Sequence, residues 1–426
     1  MQQITRHVVI FFCIMFVVGC AAQSGSLREI AKPLSEVNTL TLEKFDEQWD
    51  IIVNEYMNEL PDTLEAKLAC FQKVLAKGLG SCLNDRFSRY LSKEETTETY
   101  EEIRGSYAGI GLELVDVNDS VKITSIIKNS PAEKSGTFEM GDILIEVNGK
   151  DISGQSIKTV IPHIRGSPGT EVIIRVRRKN KKLDAVALIR ENIEIHSVHA
   201  VDIDEDITYV KIDYFNKLTP GELAHAMISR LLFESSPGNF FLNFGAKKFI
   251  YDLRENPGGI LEAAGMMSYL FAENGDHIVI TQQSRRGEDI LRVSDFVADN
   301  IPIPVGIFRF VTIVLLLNEG SGSAAEIFAA FVHEATGAKR IGKKSYGKGS
   351  IQQVFPLKEE DAILLTIAEY LVGNQRVRIN KIGIKPEYEI DNPESYKNDD
   401  AIGIRIDLIR DLQLKKAIEV LRQPRR

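Results

Sequence analysis

Asn318-Glu319-Gly320-Ser321-Gly322-Ser323-Ala324-Ala325-Glu326 decides how this chain folds. A very apolar run, residues 305–317, precedes it with one interior charge, Arg309, and an apolar helix follows. A bilayer span takes roughly 20 residues, so this shorter run reads as a strand buried on both faces. Strand, small-residue turn and helix, in that order, build an α/β layer. A serine at such a turn presents its oxygen where the amides of a helix start converge. Ser323-x-x-Glu326 is equally a capping box, which needs no chemistry. These residues alone leave both readings standing.

The same alternation extends on either side. Residues 209–212 form a short strand, and Thr219-Pro220-Gly221-Glu222 opens a helix with a capping box and a proline in its first turn. Residues 248–253 form a strand running into Asn256-Pro257-Gly258-Gly259, before a helix over about 261–271. Further on, Ser345-Tyr346-Gly347-Lys348-Gly349-Ser350-Ile351-Gln352 sets a lysine between two glycines. Desolvation at such a position lowers a lysine pKa, so that the neutral amine can take a serine proton. A solvent-facing lysine in a glycine-rich loop is the alternative. Residues 193–391 thus read as one α/β core, and 392–426 as a helical tail.

Upstream the pattern is β. Ile110, Leu112 and Leu114 alternate, and Val121 and Ile123 follow. Ser130-Pro131-Ala132 is a capped helix start, and Asn148-Gly149 is a hairpin signal after the strand 143–147. Gly166-Ser167-Pro168-Gly169 precedes a strand over 171–177. Tyr107-Ala108-Gly109-Ile110-Gly111-Leu112, Ser130-Pro131-Ala132 with Gly136, Gly141-Asp142-Ile143-Leu144 and Val147-Asn148-Gly149 together resemble a PDZ domain over residues 105–192. The resemblance implies that a peptide C-terminus is accepted as an added strand. The loop of Gly109, Ile110, Gly111 and Leu112 would then bind its carboxylate. Before this domain, Phe45, Trp49, Ile52, Tyr56 and Leu60, then Leu64, Leu68, Phe71, Val74 and Leu75, recur at helical spacing. Residues 42–104 are therefore expected to be a helical N-terminal domain.

At 426 residues the chain holds several domains. A net charge of −8 without a long basic run argues against nucleic acid as a partner. Arg6 and His7 precede an apolar run over 8–18, the length of a signal-peptide h-region. Val17-Val18-Gly19-Cys20 resembles a bacterial lipoprotein cleavage site. On that reading residues 1–19 are the signal, Cys20 carries the lipid, and 20–41 are a tether. The mature protein would then be exported and anchored to a membrane of the bacterial cell envelope, facing the periplasm. A soluble periplasmic or secreted protein is the alternative. Of four cysteines, Cys70 and Cys82 remain for the mature fold, as a disulfide or as two helix thiols. Two cysteines make no metal site, and the histidines contain no His-x-x-x-His pair, so no metal and no metalloprotease is expected.

Asp252-Leu253-Arg254-Glu255-Asn256-Pro257-Gly258-Gly259, Gly320 to Glu326, and Gly347-Lys348-Gly349-Ser350-Ile351-Gln352 together resemble the carboxyl-terminal processing peptidases, also called tail-specific proteases. Leu83 to Leu91 before the β-domain and Gly383-Ile384-Lys385-Pro386 near the end extend the resemblance over roughly 42–390. It implies a multidomain α+β protein: a helical N-terminal region, a PDZ β-domain and an α/β (crotonase-like) protease core. It assigns Ser323 as nucleophile, Lys348 as general base and Gln352 as the residue that orients the lysine. Backbone amides of Gly259 and Ala324 would form the oxyanion hole. The implied activity is a serine endopeptidase without cofactor, which binds the C-terminal tails of protein substrates and cleaves upstream.

Two features depart from the family. Gly322 and Ala325 break its serine–alanine alternation, which leaves Ser321 a rival nucleophile, and the apolar run before the turn is long. His333, ten residues after Ser323 on the same helix, is too far for a local Ser–His pair and reads as packed or solvated. Arg165, beside Gly166, reads as a surface arginine, with a role in reporting peptide binding as the alternative. Competing functions are a non-catalytic PDZ scaffold on a degenerate protease core and acyl chemistry on a non-peptide substrate.

Overall fold

The computed structural model describes residues 85–117, 120–179, 181–236, 239–243, 247–297, 303–357, 360–393 and 407–423. The signal segment, Cys20, the tether, Cys70, Cys82 and most of the expected helical N-terminal domain lie outside the described residues. The chain divides into two units, the smaller containing described residues 85–96 and 352–367. There, strand Arg89–Leu91 pairs antiparallel with residues 362–364. The Ser88 hydroxyl accepts from the Thr366 amide (3.0 Å) and donates to Asp85, while Tyr90 donates to Asp361.

The larger unit begins with a seven-stranded antiparallel sheet. Its first strands, Leu112–Asp116, Val121–Ile126 and Ile143–Val147, are neighbours in chain order, and Glu171–Arg178 pairs with the third. Val172, Ile174 and Val176 alternate inward, as the period of a half-buried strand requires. The Ser130 hydroxyl accepts from the Glu133 amide (3.3 Å), and Pro131 opens the helix Pro131–Ser135. Asn148 and Gly149, both at positive φ (51° and 78°), make the tight turn into strand Lys150–Asp151.

The α/β part is built on a six-stranded sheet. Edge strand Val198–Asp202 runs antiparallel to Ile207–Ile212. From there Lys248–Asp252, Thr312–Leu317, Lys339–Gly342 and Tyr388–Glu389 follow in parallel. Phe249, Tyr251, Ile313, Leu315 and Leu317 point into one core with helix Ala324–Thr336. Ile250, Val314 and Leu316 point into another, covered by Leu414, Ala417, Ile418 and Leu421 of helix Leu412–Arg422. Helices on both faces explain why Thr312–Leu317 is apolar almost without interruption.

Two expectations need correction. The run 305–317 is not one strand: only Thr312–Leu317 is extended, and turns occupy 305–310. Pro304 has no amide hydrogen to give a sheet, and Gly306 lies at φ 69° with its amide on Tyr269 O (2.9 Å). The Phe308 amide bonds Leu270 O (2.9 Å), so this segment wraps the end of helix Leu261–Tyr269. It is apolar because Phe308 and Val311 belong to the core, while Phe310 is 69% exposed and Arg309 reaches Glu273 (3.2 Å). The second correction concerns Glu222, which does not close a capping box on helix Thr219–Leu231. Its carboxylate accepts instead from the Ser197 and Val198 amides (2.9 and 3.1 Å), tying the helix start to the sheet edge.

Candidate active site

Parallel strands deliver their following loops to one edge of a sheet, and such edges are where α/β folds hold their sites. Here the loops after Ile207–Ile212, Lys248–Asp252, Thr312–Leu317 and Lys339–Gly342 carry Phe215, the Asn256–Gly259 turn, Ser323 and Lys348 respectively.

The turn after Lys248–Asp252 is held from below by charge. Asp252, Arg254, Asp411 and Gln413 are all at most 5% exposed. The Arg254 guanidinium donates to both Asp252 oxygens, to both Asp411 oxygens (3.0 and 2.8 Å) and to Gln413 (3.0 Å). Burial works to raise the Asp252 carboxyl pKa, but the charges of Arg254 and Lys211 outweigh it and hold the group well below its usual range. Above this network the Asn256 side chain donates to Ile212 O (2.7 Å) and accepts from the Gly258 amide (2.8 Å).

Gly258 and Gly259 have φ of 105° and 144°. A Cβ on Gly259 would lie 1.9 Å from Phe215 O; one on Gly258 would lie 2.7 Å from Ser323 Cβ and 2.9 Å from the Ala324 nitrogen. Only glycine permits this approach. Gly258 O accepts from the Phe215 amide (2.7 Å). In a trans peptide the next N–H points the opposite way, so the Gly259 amide is directed away from Phe215.

The neighbouring turn is tied to this one. The Gly322 amide donates to Asn256 O (2.9 Å), and the Glu255 amide donates to the Asn318 side chain (2.9 Å). Ser321 is fully buried; its hydroxyl donates to Leu253 O (2.8 Å) and accepts from the Asn318 amide (3.0 Å). Its oxygen is a structural pin of the turn. Ser323 is half-buried, with φ 53° and ψ −118°, a left-handed conformation that a non-glycine residue keeps only when its surroundings enforce it. Ala324 is the first residue of helix Ala324–Thr336, so its N–H has no intrahelical acceptor.

Glu326 does the enforcing. The carboxylate is fully buried and accepts from four donors. Oε2 takes the Ser323 amide and the Lys348 amide (both 2.9 Å), while Oε1 takes the Gly347 amide (2.8 Å) and the Ser345 hydroxyl. Burial pushes its pKa up, and the four donors only partly offset that. The same loop is fixed elsewhere by the Tyr346 amide on Ser321 O (2.9 Å) and the Lys381 amide on Gly347 O (2.8 Å). Gly347 and Gly349 are required by space, since a Cβ would meet the Gly383 nitrogen at 2.9 Å and the Asn380 nitrogen at 2.4 Å. Lys348 itself is half-buried. Buried Tyr370 donates to Lys348 O (2.6 Å).

A family model described as peptidase family S41 matches residues 206–390, and one described as a PDZ domain matches 122–178. A Staphylococcus aureus protein named "Probable CtpA-like serine protease" is 30% identical over 361 residues, covering 85% of this chain and 67% of that one. The chain belongs to peptidase family S41. The "Carboxy-terminal processing protease CtpA" of Bacillus subtilis is 28% identical over 397 residues, 92% of this chain and 79% of that one. Among solved structures, the photosystem II D1 C-terminal processing protease matches with a TM-score of 0.42 and 22% identity, covering 82% of this chain and 86% of that one.

This S41 member is therefore a serine peptidase that combines a PDZ domain with an α/β protease core, and the expected fold class holds. Gly259, Ser323 and Lys348 lie on loops joined by the hydrogen bonds above, and Ala324 opens the helix that follows Ser323. Gln352 lies in the smaller unit, where its side chain donates to Thr366 (3.0 Å). His333 bonds Ala338 O (2.8 Å) through Nδ1, at the far end of its helix from Ser323. Arg165 is not a plain surface arginine: it pairs with Glu101 (2.8 Å) and lies over the Tyr107 ring. In the PDZ domain, the Ile110 and Gly111 carbonyls accept from the Ala132 and Ile127 amides (both 2.9 Å). Gly111 has φ 79°, and a Cβ there would strike Ser130 at 2.1 Å.

Sequence reasoning reached Glu326 only as a helix cap, and missed Tyr370 and the Arg254–Asp411 pair altogether. The acidic residue three positions after Ser323 signalled the first. Nothing in the pattern around Tyr370 sets it apart from any inward-facing strand tyrosine.

Proposed function

We propose that this peptidase cleaves protein substrates upstream of their C-termini, with Ser323 as nucleophile and Lys348 as general base. The observation that carries this reading is the single carboxylate of Glu326, which accepts from the backbone amides of both residues. It fixes the strained serine turn and the lysine loop to one another. The Ser323 hydroxyl attacks the scissile carbonyl as Lys348 takes its proton. The tetrahedral oxyanion is met by the Gly259 and Ala324 amides, donors that gain strength as charge develops. Lys348 returns the proton to the leaving amine, and the acyl ester on Ser323 is then hydrolysed by water.

In the same reading the segment Gly109, Ile110, Gly111 and Leu112 of the PDZ domain receives the substrate carboxylate, and Cys20 carries a lipid that holds the exported enzyme at the cell envelope. Support for the first is the anchored, glycine-dependent backbone around Gly111; support for the second is the apolar run that ends at Cys20.

Ser323→Ala and Lys348→Ala are each expected to abolish cleavage of a protein substrate while retaining the wild-type melting temperature to within a few degrees. A serine-reactive phosphonate should label the wild type and not Ser323→Ala. Cleavage by both variants would refute the dyad. An amidated substrate tail cleaved as fast as the free acid would refute carboxylate recognition. Membrane partition unchanged in Cys20→Ser would refute the anchor.

A further inference from the structure

Strand Leu112–Asp116 is the edge of the PDZ sheet, and helix Ile157–Ile164 packs beside it. A tail added to that edge as a strand lies in the groove between the two. Val160 and Ile164 of the helix enter the same core as Leu112. The first turn of the helix holds no acidic residue, and the Ser156 side chain bonds the Thr159 hydroxyl (3.2 Å) without capping the helix. Asp116, the last residue of the strand, supplies the cap from the opposite wall, its carboxylate accepting from the Ile157 amide (2.7 Å). At the other end of the helix the buried Arg190 guanidinium donates to the His163 and Ile164 carbonyls (3.3 and 2.8 Å). It also donates to Glu171 O and the Thr170 hydroxyl (2.8 and 2.9 Å). Helix ends leave such amides and carbonyls without intrahelical partners, and an acid at the start with a cation at the end suits the helix dipole. The residue after Arg190, Glu191, pairs with Gly109 at the entry to the carboxylate segment. Both walls of the groove are thus pinned to each other at both ends.

We propose that Asp116 and Arg190 are positioning residues for tail recognition, holding helix Ile157–Ile164 at the distance from strand Leu112–Asp116 that an added peptide strand needs. The inference rests on the reading that this domain receives the substrate C-terminus, and deepens it by naming what sets the groove. Both residues act through the helix. With the Asp116 carboxylate removed, the Ile157 amide loses its acceptor and the helix start is free to leave the strand. Only molecules with the helix in place bind a tail, so the apparent affinity falls with their fraction. The Ser323 turn and the lysine loop are not touched, and the chemical step stays as it is.

The test is Asp116→Ala in the full chain. Its binding of fluorescein-labelled peptides that end in an apolar residue is measured for the free acids and for their C-terminal amides, beside cleavage of a protein substrate. Loss of one helix cap changes a population about fivefold, so Kd for the free acids and KM for the protein should rise by roughly that factor. The kcat and the phosphonate labelling of Ser323 should keep their wild-type values. Asp116→Asn retains an oxygen that accepts from the Ile157 amide and should restore binding. Arg190→Lys keeps the charge but cannot span four acceptors, and should weaken binding in the same direction. Asn148→Ala removes the acceptor of the Ile173 amide (2.8 Å) two strands in from the groove edge and serves as the stability control: it should lower the melting temperature and leave binding alone. A wild type that prefers acid to amide, with Kd and KM unchanged in Asp116→Ala, would overturn this inference and leave tail recognition standing. Weakening that Asp116→Asn does not reverse, or that Asn148→Ala reproduces, would overturn it as well. Equal binding of acid and amide by the wild type would overturn tail recognition itself.

Discussion

Glu326→Gln is the substitution that most directly probes how the site is held. The carboxylate accepts four hydrogen bonds on two oxygens, two from Ser323 and Lys348 on Oε2 and two from Gly347 and Ser345 on Oε1. A glutamine of the same shape offers one oxygen, and its NH2 must face two donors. Two hydrogen bonds to a charged group are lost, at about 1.5–3 kcal/mol each, for a destabilisation of roughly 3–6 kcal/mol. Against a typical domain stability of about 5–15 kcal/mol, the variant remains foldable but marginal. Because the NH2 can displace either the Ser323 or the Lys348 segment, kcat should fall well beyond what the unfolded fraction accounts for. Urea unfolding and peptide cleavage, measured on the same samples, separate the two effects. A variant within experimental error of wild type in both would refute the argument that this carboxylate organises the site.

The pH dependence gives a second reading of the same group. Burial raises the folded pKa of Glu326 above its ordinary 4.5. Between those two values the unfolded chain has already released the proton that the folded chain keeps. The stability contributed by this group is therefore full below about 4.5 and is lost as pH rises through the folded pKa. Activity runs the other way, because only the carboxylate can accept all four donors. Rising activity with falling stability over one pH window is the expected signature, and Glu326→Gln should erase both limbs.

Ser321→Ala removes a fully buried hydroxyl bonded to Leu253 O and the Asn318 amide, and should cost about 1–3 kcal/mol of stability by urea unfolding while leaving cleavage per folded molecule unchanged. Abolished cleavage with Ser323→Ala still active would instead make Ser321 the nucleophile. Gly258→Ala places a Cβ 2.7 Å from Ser323 Cβ at a φ of 105°, and should lower kcat at least about 100-fold, the scale of a lost oxyanion donor; a wild-type rate would show that the turn does not face the reacting carbonyl. Arg254→Met takes the guanidinium from buried Asp411 and leaves Asp252 with Lys211 alone (3.8 Å), and should cost about 3–5 kcal/mol, so an unchanged urea midpoint would contradict the network.

What was legible in the sequence was what short-range rules fix. Asn148-Gly149 had to turn, Ser130-Pro131 had to start a helix, and glycines flanking Lys348 had to sit on tight backbone, each for reasons contained in a few residues. The run 305–317 misled because apolar composition records burial and not backbone shape. Phe308 and Val311 are as buried in their turn as Leu315 is in its strand. Pro304 and Gly306 carried the correct signal, at the point where hydropathy spoke louder. Glu222 misled for a related reason: a first-turn carboxylate can accept from any donor within reach, and here it takes the Ser197 and Val198 amides at the sheet edge.

Glu326 turns that lesson round. From sequence, a capping box at Ser323-x-x-Glu326 stood as the alternative to a catalytic turn. In the structure the cap and the site are one arrangement. The Ser323 amide reaches Glu326 Oε2 as a cap requires, and the Lys348 amide reaches the same oxygen from a loop over twenty residues on. A helix cap needs one of the carboxylate's two oxygens; burying the whole group then obliges the chain to supply donors for the other lone pairs. Gly347 and Lys348 supply them because the strand before their loop, Lys339–Gly342, lies next to Thr312–Leu317 in the sheet, a neighbour relation set by long-range pairing that no local motif encodes. The proposed dyad is thus assembled by satisfying a buried capping residue, which gives helix stability and catalytic geometry a common cause and a common point of failure.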